Sequence, residues 1–217
     1  MADLIFNLPV GSATRFLTAN KYCDKNIAVY VEPGNTDFDD ETVAIAIAVI
    51  EDRAITQLPN ELTCIAPNTF RNHTGLSGLT RLPDSITFIG DFAFGNSNVA
   101  LTKLPSSLKT INTQAFYGCE NLNIASIPDG VESIKSQAFN YASLSTLTVP
   151  ASVTNIESGA FSNSNLTEIF FLGKPSNLER CLNGNSNLVI HCAWGEGEVA
   201  GAPWGATNAT IEYNYTP

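Results

Sequence analysis

The 217-residue sequence predicts a repeat solenoid, in which short parallel β-strands stack coil upon coil with little helix. Three observations predict it. Prolines 59, 83, 105, 128 and 150 recur at intervals of 24, 22, 23 and 22 residues. Eleven residues after each stands a phenylalanine: Phe70, Phe94, Phe116, Phe139 and Phe161. Between them run two aliphatic columns, Leu62, Ile86, Leu108, Val131 and Val153, then Ile65, Ile89, Ile111, Ile134 and Ile156. A unit this short has too little apolar area to fold alone, so copies must stack and share one core.

Taken in order, residues 1–36 read as a β-rich attachment or cap segment. Residues 37–54 are expected to be a capping helix, with Asp39, Asp40 and Glu41 at the positively polarised start of TVAIAIAVIEDR. Val and Ile also alternate there at period two, a strand pattern, so residues 42–50 stay open between helix and strand. Residues 55–190 are the solenoid, with about five full coils from Ile55 to Asn165. In each coil Leu58, Leu82, Leu104, Ile127 or Val149 closes a strand, and proline follows where no ladder donor is needed. Successive strands then lie about 4.8 Å apart. After the phenylalanine, NHT, GNSN, YGCEN, NYAS and SNSN supply the Asn, Gly and Ser of a tight corner. The segment LTEIFFLGKPSNLERCLNGNSNL lacks the Ala-Phe pair and reads as a degenerate capping coil. Residues 191–217 form a C-terminal aromatic cap, with Trp194 and Trp204 over the last coil and TIEYNY adding a strand.

At these residues the chain resembles the BspA-like leucine-rich repeats, whose units read approximately LxxLxLPxxLxxIxxxAFxxC. The resemblance covers about Ile55 to Asn187, with Cys119 in the family's terminal cysteine column. LTRLP and LTKLP are shorter before the proline than LSTLTVP, and Thr69 stands where later units have alanine. The resemblance implies a right-handed leucine-rich-repeat solenoid and favours the helix before the first coil. The flanks resemble something else. FLTANKYCDKNIAVYVEP is similar to short segments of bacteriophage tail and tail-fibre proteins, and HCAWGEGEVAGAPWGATNATIEYNYTP to the closing segment of BspA-like proteins encoded in gut phages and prophages.

Composition removes several function classes. With 11 basic against 21 acidic residues the net charge is -10, so phosphate neutralisation, and with it nucleic-acid binding, is not expected. The longest apolar run, Val43 to Ile50, falls far short of the roughly 20 residues of a membrane helix. The start MADLIFNLPVGSATRF lacks the pattern of a secretory signal, which leads us to expect synthesis in the cytosol and a place in a virion or on an extracellular surface. Cys23, Cys64, Cys119, Cys181 and Cys192 show no CxxC and read as buried free thiols, with Cys181 and Cys192 the one pair worth checking for a disulfide. His73 and His191 have no metal-ligand spacing, and neighbours such as His191 and Cys192 point to opposite faces of a strand. Asp37, Asp39, Asp40 and Glu41 lack the glycine and terminal glutamate of a calcium loop. No catalytic, cofactor or metal residue is therefore assigned, and the chain is not expected to be an enzyme.

What remains is the surface that stacking creates. Thr56, Thr80, Thr102, Ala125, Ser145 and Thr167 form one exposed column, and Gln57, Arg81, Lys103, Ser126, Thr146 and Glu168 another beside it. A hydroxyl ladder can hydrogen-bond a glycan or an extended peptide, although threonine is also simply a good strand residue. Phe88, Phe92 and Tyr117 stand where other units carry polar or small residues, which makes them contact candidates. The expected function is a recognition module of a phage or prophage tail, engaging a host-surface protein or glycan and other virion proteins. A bacterial adhesin and an intracellular inhibitor acting by occlusion are the alternatives.

Overall fold

The computed structural model describes residues 54–217 except 59, 61 and 63. The expected attachment segment at 1–36 and helix at 37–54 lie outside the described residues, apart from Ala54. What is described is a parallel β-solenoid of about seven turns, without a helix.

Two strips of strand run along the stack. The isoleucine column supplies the first: β1 (Cys64–Ile65), β2 (Phe88–Ile89), β3 (Thr110–Ile111), β4 (Ser133–Ile134) and β6 (Asn155–Ile156). Here β1 pairs with β2, and β3, β4 and β6 form a second parallel ladder in which Ile111, Ile134 and Ile156 are in register. Between β2 and β3, Asn112 Nδ2 donates to the Ile89 carbonyl at 2.7 Å, an amide side chain standing in for a ladder bond. The second strip comprises β5 (Thr146–Val149), β7 (Glu168–Phe171), β8 (Val189–Cys192) and β9 (Thr210–Tyr213), all parallel. β9 continues the register of β8, so the sheet has no break at residue 190.

The repeat columns fill the space between these strips. Ile86, Leu108, Val131 and Val153 are buried, as are all five isoleucines of the other column, while Leu62 in the first coil is half-buried. After each proline the chain turns: the N–H groups of Ile86, Leu108, Val131 and Val153 donate to the carbonyls of Pro83, Pro105, Pro128 and Pro150 at 3.0–3.3 Å. The phenylalanines form a continuous buried stack from Phe70 to Phe161, with centroids 5.2–5.7 Å apart and planes within 16°. That is the spacing of favourable aromatic pairs. Their backbones form a further ladder, because Phe94 N–H donates to Ala115 O at 2.9 Å and Phe116 N–H to Ala138 O at 2.9 Å.

Beyond Phe161 the stack ends in Leu182, and Phe171, Trp194 and Trp204 take over the core of the last coils. Trp204 is satisfied as it is buried, its Nε1 donating to Ala200 O at 2.8 Å. Cys119, Cys181 and Cys192 are buried and free, so Cys181 and Cys192 do not pair. Cys64 is disulfide-bonded, which corrects the reading of it as a free thiol.

Candidate functional site

Two hydroxyls of these columns, those of Thr102 and Thr167, are engaged by the fold itself. Thr56, Gln57, Thr80, Arg81, Thr102, Lys103, Ser126 and Thr167 are exposed, and Thr146 and Glu168 are partly so. Thr102 Oγ1 donates to Thr80 O at 3.3 Å and Thr167 Oγ1 to Ser145 O at 3.0 Å. Elsewhere Ser85, Ser107 and Ser176 tie their coils to Leu62 O, Ile86 O and Thr154 O at 2.7–2.9 Å. Each such bond contributes about 0.5–1.5 kcal/mol net. These five hydroxyls serve coil-to-coil fastening.

One column also needs its register corrected. Ser126 pairs with Thr148, not with Thr146, and the row continues through Phe170, His191 and Glu212. Thr146 and Glu168 pair with each other in the neighbouring row, which continues to Val189 and Thr210. The coil LSTLTVP is longer before its proline than its predecessors, and counting from its start displaces the row by two residues.

Where that row ends, His191 is held on every side. Its ring lies flat on Phe170, centroids 4.2 Å apart, with Tyr215 at 5.0 Å. Nε2 is 3.0 Å from Glu168 Oε1 and Nδ1 is 2.9 Å from Glu212 Oε2, although Nδ1 lacks the alignment of a hydrogen bond. The histidine therefore links the coils of β7, β8 and β9, and its side chain is 9% exposed. Among the described residues no group of three or more His, Cys, Asp or Glu side chains could hold a metal ion.

A different surface gathers the off-pattern aromatics. The Arg71 guanidinium stands 4.5 Å from the Phe92 ring centroid, a cation–π distance. Phe92 then meets Tyr117 at 5.8 Å, and Tyr117 meets Tyr141 edge to face at 5.7 Å. The four form a ribbon along successive coils. Two of the sequence candidates, Phe92 and Tyr117, are thereby brought together, whereas Phe88 sits on β2 opposite Cys64.

The corner geometry explains why this ribbon projects. Two residues after the stacked phenylalanine, each coil passes through the left-handed region, and the residue there is Asn72, Asn96, Gly118, Tyr141 or Asn163, with φ between 50° and 65°. Asn and Gly tolerate that conformation, but a bulky side chain does not adopt it freely. Tyr141 is the exception at this corner, and its φ is 58°. It is also 52% exposed, the one exposed large hydrophobic side chain among the described residues. The sequence signal for it is faint: in the corner column Asn72, Asn96, Gly118, Tyr141 and Asn163, a tyrosine stands among asparagines and a glycine.

Beside Tyr141 lies an open groove of about 480 Å³. Its other walls are Glu120, Asn121, Ser143, Asn163 and Asn165. Gly184 completes it, at φ 76° and in a place where a Cβ would collide with Asn163 Oδ1. The groove thus combines one aromatic face with amides, a hydroxyl and a carboxylate, and no basic residue lines it.

Comparison with known proteins agrees with this architecture. The BspA type leucine rich repeat region matches residues 54–183 in six copies. No curated protein matches the chain. The leucine-rich-repeat solenoid is typically a binding scaffold.

Proposed function

Because the chain belongs to the BspA-type leucine-rich repeat family, we propose that it is a non-enzymatic recognition module holding its partner on the outside of a rigid solenoid. The observation that carries this reading is the placement of Tyr141. A left-handed conformation costs an ordinary side chain roughly 1–2 kcal/mol; Phe92 and the core residue Trp204 adopt it too, and what distinguishes Tyr141 is that it does so while exposed. Folding regains little from a ring that is 52% exposed. Binding would regain more, since aromatics fixed on a rigid backbone anchor interfaces at low entropic cost. Phe92 and Tyr117 extend that anchor and Arg71 closes it.

The finer reading is that the module belongs to a phage or prophage particle and faces a host surface. Its support is the resemblance of residues 16–33 to tail-protein segments and of residues 191–217 to phage-encoded closing segments. In the structure Trp194 and Trp204 are core residues of the last coils, which does not exclude docking through the outer face of that cap; on this reading the N-terminal segment serves attachment. Immobilised protein should retain material from a bacterial cell-envelope extract, and the double variant Tyr117→Ser, Tyr141→Asn should lose it. Equal retention by both proteins would overturn the reading.

A further inference from the structure

We infer that the groove beside Tyr141 is a saccharide subsite that takes a neutral glycan, an inference that rests on the recognition reading and names its ligand class. The chemistry of a pyranose is two-sided: one face presents a patch of C–H groups, and the rim presents hydroxyls that both donate and accept. The groove presents the complement. The Tyr141 ring offers an apolar face with a polar tip; Asn121, Asn163 and Asn165 add amides, of which Asn121 and Asn163 each donate one N–H, to Asn98 O and Asn140 Oδ1 respectively, and keep a second N–H and a carbonyl oxygen. Glu120 adds an acceptor and Ser143 a hydroxyl. Few apolar walls and a few convergent polar groups suit a hydroxyl-rich ligand better than a peptide, which needs apolar pockets for alternate side chains.

Charge narrows the class. Glu120 lines the groove without a basic counterpart there, and the whole chain carries a net charge of -10. An acidic sugar in the groove would meet Glu120 with no cation among the lining residues to offset it, and Arg71 stands only at the far end of the ribbon, beyond Phe92. The ribbon adds a direction, because Tyr117 lies 5.7 Å from Tyr141 on the preceding coil and Phe92 lies 5.8 Å beyond. The rings are inclined by 69° and 50° to one another, so Tyr141 supplies the stacking face and Tyr117 an aromatic edge next to it, and an oligosaccharide that runs on past the groove gains contacts that a monosaccharide does not.

The test is calorimetric titration of the full chain with cellohexaose, chitohexaose and maltohexaose, and with a sialylated oligosaccharide as the charge control. At least one neutral hexasaccharide should bind with Kd of roughly 1 mM or tighter. Tyr141→Asn should weaken it at least about tenfold, equivalent to roughly 1.4 kcal/mol, and Tyr141→Trp should preserve it. Asn165→Gly, which suits the left-handed φ of 57° at that position, should weaken binding without unfolding the coil. Absence of binding to every neutral probe, preference for the sialylated one, or affinity indifferent to both Tyr141→Asn and Asn165→Gly would overturn the inference. Envelope extracts separate this failure from that of the recognition reading. Retention that survives periodate, falls to protease and still needs Tyr141 sinks the saccharide subsite alone; retention indifferent to Tyr141 sinks both.

Discussion

Phe116 and Phe139 lie face to face on successive coils, their centroids 5.4 Å apart and their planes within 6°. Both are fully buried, and each also touches the next phenylalanine along the stack. Removing Phe116 therefore opens a cavity in the middle of a core shared by all coils. Phe116→Ala should destabilise the chain by about 3–5 kcal/mol, lowering the Tm by roughly 10 °C. Thermal denaturation followed by circular dichroism checks this, and an unchanged Tm would contradict the shared core.

Asn185 is a second fastening point, polar and buried. Its Oδ1 accepts from Ser164 N–H at 3.2 Å and Leu166 N–H at 3.3 Å, and its Nδ2 donates to Phe161 O at 2.8 Å and Leu182 O at 2.9 Å. Asn185→Ala leaves these backbone groups unsatisfied in the interior, at about 1–3 kcal/mol for each group that finds no substitute. A Tm loss comparable to that of Phe116→Ala is expected in the same measurement. A loss under about 2 °C would show that the network is dispensable.

Burial silences the free cysteines. Desolvation pushes the Cys119 thiol up to about 12, despite its contact with Ser97, and Cys192 to about 12. Burial raises the Cys181 thiol as well. Reactivity belongs to the thiolate, so at pH 8 iodoacetamide should leave all three unmodified in the native chain and alkylate all three once it is unfolded. Peptide mass spectrometry reads the outcome, and native-state labelling of any of them would refute the inward assignment.

An acid-sensitive contact ties two coils at the surface. Lys135 Nζ stands 2.8 Å from Glu157 Oε1, and Ser136 N–H donates to Glu157 Oε2 at 3.0 Å. The hydrogen bond from Lys135, aided by that from Ser136, holds the Glu157 carboxyl below its ordinary value. A lowered folded value means that the contribution is present above the usual carboxylate range and lost as pH falls through the lowered value. Glu157→Gln should therefore lower the Tm slightly at pH 7 and leave it unaltered at strongly acidic pH, the small size reflecting solvent screening. A decrement that grows with acidification would contradict this linkage.

The division between what sequence revealed and what it concealed follows from the physics of stacking. Buried columns repeat because each coil presents the same cavity to its neighbour, so Phe94, Phe116 and Phe139 announce themselves through identity. Fastening side chains change identity from coil to coil: Asn185 and Cys119 stand in one column and each bonds the phenylalanine carbonyl of the preceding coil, Phe161 O and Phe94 O, so the shared role leaves no repeated residue type. Beyond Ser126 a longer coil shifts the count by two residues, and backbone pairing, not sequence, identifies Thr148 as its partner. Phe92 and Tyr117 stood out as aromatics in polar columns. Tyr141 did not, since its significance lies in a left-handed φ that the sequence expresses solely through the asparagines and glycines of the other corners.

The most direct test of the account is the Tm of Tyr141→Asn, measured beside its retention of envelope material. The substitution relieves roughly 1–2 kcal/mol of backbone strain and forfeits about 0.5–1.5 kcal/mol of edge-to-face contact with Tyr117. If Tyr141 serves binding, the variant melts at the wild-type temperature or a few degrees higher and retains nothing. A Tm lower by about 5 °C or more, with retention intact, would show that the ring serves the fold instead.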